Sequence, residues 1–380
     1  TGIIAEYNIF HNGHKYQIDE AKKQCDAVIA VMSGSFVQRG DVAITDKWSR
    51  TKAALMCGVD LVVELPTCYA LNAAYNFASG GIGTLHALGV VNSVCFGSES
   101  GCIEKLKNAA VILENESEDI SLKIKKYTSK GLGYPAAVTK AYNNVLPENL
   151  LTEPNNILAI EYIRAIIRLK SDIKPVTVQR YKAGHHDSKI TSNITSASKL
   201  REMISSGQNI EKLLPYDIKT LNCDIPYSIS ALDTAIISKL RLSTASYLQN
   251  VSEVTEGLEN RIIQAANETY SFNELVDKIK NKRFTTSKIR RILISALIGN
   301  TKDIYTPMPQ YIRVLGLNKT GMNILKEAKK VCSVPIITKV ADYKDNNPQF
   351  KLDLNATDIS MLCNPNPKNR LGRLDFKTSP

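Results

Sequence analysis

Residues 2–23, GIIAEYNIFHNGHKYQIDEAKK, combine the patterns of a buried strand, a polar turn and an amphipathic helix. The short apolar run over 2–7 predicts a strand, and the apolar spacing over 15–25 predicts a helix. Between them lies the polar segment His-Asn-Gly-His, residues 11–14. A buried strand that passes through a short turn into a helix is typical of a βαβ unit, so this stretch predicts a parallel sheet covered by helices.

The same alternation continues through the first hundred residues. Continuous apolar segments predict strands over 27–34, 59–66 and 93–100, and amphipathic segments predict helices over 45–58 and 70–88. Right-handed crossovers between such strands give a Rossmann-like, doubly wound α/β sheet. Ligands bind beyond the carboxyl ends of the strands in these sheets, so we expect the chemistry in the polar loops NIFHNGH, SGSFVQRGD and GSESG.

Beyond residue 100 the pattern becomes mainly helical, with one further strand. Apolar spacing predicts helices over 155–170 and 199–207, and a short strand is expected over 175–181. Gly207 is the residue type that commonly follows a helix C-cap, so we expect the second of these helices to end there.

We predict a domain boundary after residue 206. Residues 1–206 contain the sheet pattern, whereas residues 207–380 carry apolar residues at helical spacing, which predicts a mostly α-helical second domain. From about Asp342 onward this spacing is lost, and an irregular tail is expected.

The composition is that of a globular protein, with 43% hydrophobic and 22% charged residues. No apolar run approaches the ~18 residues that a membrane helix needs, so no membrane association is predicted. The chain opens into a strand pattern without a charged leader and apolar signal core. Because Thr1 is not an initiator methionine, we expect a few residues to be missing from this end. The eight cysteines have no CxxC spacing, which favours buried thiols in a reducing cytoplasm over a metal or redox site.

The net charge of +11 is unevenly distributed along the chain. Residues 1–200 carry 22 basic and 19 acidic side chains, whereas residues 201–380 carry 26 and 18. Most of the positive surplus therefore belongs to the second domain, which favours a polyanionic partner.

His11, Asn12, Gly13 and His14 lie where the first strand passes into its helix, a position suited to binding an anion. A helix N-terminus presents free backbone N–H groups and the positive end of the helix dipole. Gly13 allows a nucleotide to approach closely, and the two imidazoles can donate hydrogen bonds to phosphate oxygens. The alternative is a pair of surface histidines that cap the helix. The spacing fits no zinc motif, so no metal ligands are predicted.

A second polar cluster, Ser196, Ser198 and Arg201, lies in ITSASKLR, residues 194–201. Hydroxyls at a helix start, with an arginine one turn inside, can form a second phosphate clamp. Taken alone, a serine N-cap followed by a surface arginine is the commoner explanation.

An HxGH segment after the first strand of a doubly wound domain resembles the nucleotidyltransferase superfamily, which adenylates acids or phosphates with ATP. That superfamily usually carries a second signature, I-S-S-T-x-I-R, and residues 194–201 have the matching serines and arginine. The whole chain further resembles the tRNA(Met) cytidine acetate ligase family. The resemblance is carried by the segments AEYNIFHNGHKYQI, MSGSFVQRGDVAITDKWSRTKAAL, GVDLVVELP, FGSESG, PNNILAIEYIRA, AGHHDSKITSNITSAS, LGLNKTGMNIL and NPKNRLGRLDFKTSP. One departure is Ile9, where the family usually has proline.

This resemblance implies a sheet of the nucleotidyltransferase type and ligase chemistry that acts on tRNA. ATP and acetate would form acetyl-adenylate and pyrophosphate, with Mg²⁺ screening the phosphates. The acetyl group would then pass to N4 of the wobble cytidine of elongator tRNA(Met), giving N4-acetylcytidine. ATP, acetate and this tRNA are therefore the expected partners, and the cytoplasm is the expected location.

The resemblance also implies which residues form the site. His11 and His14 are expected to hold the ATP phosphates and stabilise adenylyl transfer, and Ser196, Ser198 and Arg201 complete the phosphate clamp. The residues expected to contact the nucleotide are Ile4, Ala5, Glu6, Tyr7, Asn8, Phe10, His11, Asn12, Gly13, His14, Lys15, Gly97, Asn155 or Asn156, and Arg180.

Seven further polar residues near these segments are open to two interpretations. Five of them either contact acetate or tRNA or form local ion pairs: Gln38, Arg39, Asp46, Lys47 and Arg50. His186 and Asp187 either orient each other near the site or cap a loop.

The segment KIKNKRFTTSKIRR, residues 278–291, has seven basic residues and no acidic one. We expect five of them to contact the tRNA backbone: Lys282, Arg283, Lys288, Arg290 and Arg291. The alternative for such a charge run is a solvated surface stripe. Aromatic residues are sparse there, which favours recognition of shape and phosphates over stacking on bases.

Two other functions fit parts of the sequence. A small-metabolite adenylyltransferase would share the HxGH site, but it would not need the basic second domain. An RNA-binding or assembly factor with a vestigial nucleotide site would explain the charge, but not the retained His11, His14, Ser196 and Arg201.

Overall fold

The computed structural model describes residues 1–147, 149–180, 195–221, 226–255 and 257–380. His186 and Asp187 lie outside the described residues, so their two interpretations stay open.

A central sheet organises the described part of the chain. Its strands and those of a small hairpin are β1 (Gly2–Ala5), β2 (Ile29–Ser33), β3 (Phe36–Val37), β4 (Asp41–Val42), β5 (Leu61–Leu65), β6 (Ser93–Ser98), β7 (Lys174–Gln179), β8 (Ile312–Leu317) and β9 (Ile336–Ile337). The seven-stranded sheet has the order β7-β6-β1-β2-β5-β8-β9, and β3 pairs with β4 in the hairpin. The five strands from β7 to β5 are parallel, as predicted, and β8 runs antiparallel to β5.

The strand order creates a crevice at the carboxyl ends of β1 and β6. The chain passes from β1 to β2 and then β5 on one side, and afterwards returns to β6 on the other side of β1. At such a reversal the loops after the two neighbouring strands diverge to opposite faces of the sheet, which leaves an opening between them.

Helices cover both faces of the sheet, as the predicted α/β class requires. They are α1 (Asn12–Lys22), α2 (Lys47–Met56), α3 (Thr67–Ala70), α4 (Ala74–Leu88), α5 (Ile103–Glu114), α6 (Glu118–Ser129), α7 (Tyr134–Ala141), α8 (Pro154–Arg168), α9 (Ala197–Ser205), α10 (Asp233–Arg241), α11 (Ala245–Asn250), α12 (Leu258–Glu268), α13 (Phe272–Ile279), α14 (Thr286–Ile298), α15 (Lys319–Val331) and α16 (Pro348–Met361). Within the described ranges, none is long and apolar enough to cross a membrane.

Alternate residues of each central strand contribute to two separate cores. In β2, Ile29 and Val31 pack with α4, α5 and α8, whereas Ala30 and Met32 pack with α1, α2 and α9. Helix α4 approaches β1 closely because Gly81 lacks a side chain: a Cβ there would lie 2.6 Å from Cδ1 of Ile4.

The C-terminal part is mostly helical, but it also completes the sheet. The sequence pattern did not predict β8 and β9, and the expected irregular tail is wrong over Pro348–Met361, which forms α16. The buried face of α16 includes Gln349, Asp353 and Thr357 at helical spacing. Because these polar residues lie among buried apolar ones such as Leu352 and Ala356, the helix has no clear apolar stripe that a sequence pattern could reveal.

Four buried charged side chains connect this C-terminal part to the sheet domain. Lys47 Nζ lies 2.8 Å from Glu64 Oε1 and 2.9 Å from Asp375 Oδ1, and an Arg313 Nη lies 2.7 Å from the same Asp375 oxygen. All four side chains are at most 3% exposed. We call this group the charge clasp.

Candidate functional site

A cavity of about 590 Å³ opens in the crevice between the carboxyl ends of β1 and β6, and we call it the β1–β6 cavity. Its volume lies in the usual range for small-molecule sites, ~300–1,000 Å³. An adjoining cavity of about 350 Å³ shares several of its residues and adds Gly13. The predicted site residues that line these cavities are Ile4, Ala5, Glu6, Tyr7, Asn8, His11, Gly13, His14, Gly97, Asn155, Arg180, Ser196, Ser198 and Arg201.

His11 and His14 form a reciprocal cap at the N-terminus of α1. Nδ1 of His11 accepts a hydrogen bond from the Gly13 backbone N–H at 3.0 Å, and Nδ1 of His14 accepts one from the His11 backbone N–H at 3.3 Å. The two rings stack with their centroids 3.9 Å apart. Since both Nδ1 atoms accept, a neutral imidazole carries its proton on Nε2. Capping and ligand binding are therefore compatible: each ring caps the helix with one nitrogen and keeps the other as a donor.

Both imidazoles are neutral in the free protein near pH 7. Burial, followed by the positive charges of Arg180 and Arg201, lowers the pKa of His11 to about 4. Burial also lowers the pKa of His14, followed by the effects of His11 and Arg180. The positive potential of the cavity thus comes from arginines and helix termini, and the histidines act as neutral hydrogen-bond donors.

The serine and arginine cluster converges on the opposite wall. Ser196 is the N-cap of α9, where its hydroxyl accepts from the Lys199 N–H at 3.2 Å. The Ser198 hydroxyl accepts from an Arg39 Nη at 3.2 Å and an Arg201 Nη at 3.3 Å. Arg201 also donates to the Asn8 carbonyl, which attaches α9 to the loop after β1. Two guanidinium groups therefore meet at one hydroxyl beside a helix N-terminus, an arrangement that suits a polyanion.

Glu6 faces these cations and positions the loop after β2. Its carboxylate accepts from the Gln38 backbone N–H at 2.8 Å, and burial raises its pKa despite the neighbouring arginines. Arg50 is fully buried, and it donates to the carbonyls of Glu6 at 2.8 Å and Ser33 at 2.9 Å. Arg50 therefore joins the two loops that form this wall.

The remaining predicted nucleotide contacts separate into two groups. Asn155 lines the cavity at the start of α8, whereas Asn156 is buried and accepts from the Ser100 N–H at 3.0 Å. At Gly97 an added Cβ would lie 3.1 Å from Cγ of Arg180, so a side chain there would require this arginine to shift.

Besides Asn156, three predicted contacts line neither cavity. Phe10 is buried and packs against Tyr7 and His14. The Asn12 amide donates to the Lys212 carbonyl at 3.0 Å, and Lys15 pairs with Asp19. Ile9, which replaces the proline usual in the family, is fully buried, and the Asn8–Ile9 peptide bond is cis.

An apolar wall on the α4 and α8 side of the cavity was not predicted from the sequence. Phe77, Phe96 and Tyr162 are almost fully buried and line it together with Leu158. Such a surface suits the face of a planar ring. Each of these residues also has the pattern of an ordinary core position, so the sequence carried no signal that distinguished them.

The five residues near the loop after β2 for which the sequence left two interpretations differ in where they lie. Gln38 and Arg39 line the β1–β6 cavity. Asp46 caps α2 by accepting from the Ser49 N–H at 2.8 Å, and Lys47 and Arg50 are buried in structural contacts. Among the residues that the structure describes, no group of three or more histidine, cysteine, aspartate or glutamate side chains could hold a metal ion.

The five basic residues predicted to contact tRNA differ in exposure. Lys282 and Arg283 are exposed, and Lys288 is half-buried above the Phe284 ring. Arg290 pairs with Asp41 at 2.7 Å, and Arg291 pairs with Glu253 at 2.5 Å. Contact with tRNA stays a prediction for all five, but the last two guanidinium groups already have partners within the chain.

Comparison with known sequences identifies relatives over the whole chain. The family model described as HIGH Nucleotidyl Transferase matches residues 1–375. The protein named tRNA(Met) cytidine acetate ligase from Clostridium novyi (strain NT) is 41% identical over 401 residues, which cover 100% of this chain and 98% of the relative. The protein of the same name from Acetivibrio thermocellus is 38% identical and covers 99% of this chain, with 97% of the relative matched.

Comparison with solved structures agrees with the family match. The crystal structure of Thermotoga maritima TmcAL bound with alpha-thio ATP superimposes with a TM-score of 0.90 at 31% identity. The match covers 100% of this chain and 98% of that one. The apo form I of the same protein superimposes with a TM-score of 0.91.

Proposed function

Since this chain belongs to the HIGH nucleotidyl transferase family, and within it to the tRNA(Met) cytidine acetate ligases, we propose that it is an ATP-dependent acetate ligase that acts on tRNA. The reaction activates acetate with ATP and acetylates N4 of the wobble cytidine of elongator tRNA(Met). The product is N4-acetylcytidine.

In the first step an acetate oxygen attacks the α-phosphorus of ATP, and the bond to the β-phosphate oxygen breaks to release pyrophosphate. The Nε2–H groups of His11 and His14 donate to phosphate oxygens, and they stabilise the charge that develops there during transfer. Arg201, Arg39 and Ser198 hold the phosphates on the opposite wall. Asn155, Gly97 and the apolar wall contact the nucleoside part.

In the second step the N4 amine of cytidine attacks the acetyl carbonyl carbon. A C–N bond forms, the C–O bond to the adenylate breaks, and AMP and a proton are released. An exocyclic amine conjugated with its ring is a weak nucleophile, so it needs an acyl group with a good leaving group. This requirement explains why ATP is consumed.

Mg²⁺ fits this site as an ion held mainly by the nucleotide. Magnesium in nucleotide sites usually takes one or two carboxylates, with phosphates and waters completing its shell. Among the described residues that line the β1–β6 cavity, Glu6 is the carboxylate that could supply such a ligand. The ion would screen the phosphate charge.

We place this reaction in the cytoplasm. The seven cysteines of the described residues are all free. Free thiols are typical of reducing compartments, where ATP and tRNA are also present.

The observation that carries this proposal is the paired imidazoles, each with Nδ1 bound to the backbone and Nε2 left as a donor beside the arginines of the cavity. The test is incubation of the protein with ATP, labelled acetate and bulk tRNA. Label in tRNA, dependent on ATP, is the expected result. Label that stops at an adenylate would indicate a small-metabolite adenylyltransferase, and label in neither product would indicate a pure RNA binder.

A further inference from the structure

A groove of about 1,090 Å³ lies beside the β1–β6 cavity, between the sheet domain and the helical part. One wall is formed by the end of α6 and the start of α7, with Lys125 and Tyr134. The other wall is formed by the segment that enters α14, with Arg283 and Lys288, and by Lys302. We call it the basic groove.

We propose that the basic groove binds RNA, with Lys125 and Arg283 on phosphates from opposite walls and Tyr134 stacked on a base. This inference rests on the proposed function, because it identifies where the tRNA substrate lies. It adds the α6–α7 wall to the basic segment over residues 278–291, for which the sequence predicted contact with the tRNA backbone.

The two walls are in direct contact although they are far apart in sequence. A Cβ at Gly133 would lie 3.1 Å from the Arg283 carbonyl oxygen and 3.3 Å from the Lys282 carbonyl oxygen. The turn before α7 therefore packs against the backbone of the basic segment, and Lys125 and Arg283 line the same groove.

The groove carries positive charge that its own acidic residues do not neutralise. Lys125 and Arg283 are exposed, and neither forms an ion pair with any residue the structure describes. Two glutamates line the groove: Glu253 is paired with Arg291, and Glu259 accepts from the Gln249 amide at 3.1 Å. Glu259 is therefore outnumbered by four other cations that line the groove: Lys125, Arg283, Lys288 and Lys302.

Lys288 lies among charges of both signs. Burial lowers its pKa, Glu253 raises it, and the charges of Arg291 and Lys302 lower it. An anion in the groove would offset the repulsion from Arg291 and Lys302. A polyanion with regularly spaced phosphates is the partner that several such cations can contact together.

An exposed aromatic ring distinguishes RNA from an acidic protein as the occupant. Tyr134 is 64% exposed and lines the groove together with Lys125 and Arg283. Unpaired RNA bases stack on such rings, and cations beside the ring bind the adjoining phosphates.

The position of the groove gives an unpaired base access to the site. Ala73 lines the groove, and Ala74, the first residue of α4, lines the β1–β6 cavity. Arg291 lines the groove and donates at 3.1 Å to the carbonyl of Gln38, which lines the cavity. RNA held in the groove therefore places a base that is turned out of its stack beside the adenylate.

The test compares two doubly neutralised variants of the full chain. Lys125→Gln/Arg283→Gln removes one cation from each wall, and Lys326→Gln/Lys329→Gln removes two exposed lysines of α15 outside the groove. The affinity for elongator tRNA(Met), measured by fluorescence anisotropy at several salt concentrations without ATP, should fall about tenfold only for the groove variant. The slope of log Kd against log salt should decrease by about two for that variant.

Two further arms identify the occupant and separate this inference from the proposed function. Tyr134→Ala should raise Kd by at least about fivefold while Tyr134→Phe retains affinity, since both rings stack. If a polyglutamate peptide displaced bound tRNA as effectively as unlabelled RNA does, the choice of RNA as the occupant would be contradicted. If the groove and α15 variants bind tRNA with equal Kd while the unmodified chain still acetylates tRNA, RNA binding by the groove is contradicted. The proposed function would then still stand. Failure of the unmodified chain to acetylate tRNA would overturn the proposed function instead.

Discussion

The β1–β6 cavity and the charge clasp are both built from cations near the sheet, but they differ in whether the chain supplies the anions. In the clasp, Lys47 and Arg313 meet Glu64 and Asp375, so two positive charges face two negative ones and all are buried. In the cavity, three arginines, Arg39, Arg180 and Arg201, share the walls with the single carboxylate of Glu6 among the described residues.

This difference distinguishes a structural cluster from a binding site. Paired buried charges contribute to the fold only while every partner is present, since removing one leaves an uncompensated charge. Where cations outnumber the carboxylates around them, an anionic ligand can still gain favourable electrostatic energy by binding. The same distinction separates Arg291, paired with Glu253, from the exposed Arg283.

The largest expected effect is a loss of stability when a charge of the clasp is removed. Lys47→Met should lower the free energy of unfolding by about 3–5 kcal/mol, because Glu64 and Asp375 then retain only Arg313. Urea denaturation measures this loss, and Lys52→Met, an exposed position on the same helix, is the control. A loss no greater than that of the control would mean that the clasp is not a buried paired cluster.

The second prediction concerns catalysis and leaves the fold intact. His14→Ala should reduce acetate-dependent ATP–pyrophosphate exchange by about 10²–10³-fold, because one phosphate donor is removed from the transition state. Affinity for tRNA should stay within a few-fold, and the circular dichroism spectrum should be unchanged. His86→Ala, on the exposed side of α4, is the control and should keep full exchange activity. Simultaneous loss of exchange and tRNA binding would contradict separate sites.

The smallest expected effect is a change in the pKa of His11 when nucleotide binds in the cavity. His11 has its pKa lowered to about 4 by burial and by Arg180 and Arg201, so it is neutral above that pH in the free protein. Phosphates brought within a few ångström favour the protonated form, so nucleotide should raise this pKa. NMR titration of the ring, assigned with His11→Asn, measures both states. A midpoint near 6.5 in the free protein would contradict the buried arrangement.

The sheet was predictable from sequence because its strands are continuous apolar runs separated by amphipathic helices. The predicted segments over 2–7, 27–34, 59–66 and 93–100 contain β1, β2, β5 and β6. In contrast, α16 was missed because its buried residues include the polar Gln349, Asp353 and Thr357. A helix that buries polar and apolar residues together has no clear amphipathic pattern.

The candidate site was predictable where it depends on local spacing. His11 and His14 lie three residues apart on one helical turn, so their meeting follows from the sequence. The apolar wall formed by Phe77, Phe96 and Tyr162 was not predictable, because a core residue and a cavity-lining residue have the same composition. Nor could spacing reveal that Lys47 and Arg50 point into the interior while Arg39 faces the cavity.

The central claim is that the arginines of the β1–β6 cavity, which outnumber the one carboxylate among its described lining residues, hold a triphosphate beside His11 and His14. The most direct test is a crystal structure of the chain with a non-hydrolysable ATP analogue. We predict that the phosphates lie within hydrogen-bond distance of both Nε2 atoms and of Arg201, with the adenine toward Gly97 and Asn155. A nucleotide bound elsewhere, or no bound nucleotide at millimolar concentration, would contradict the account.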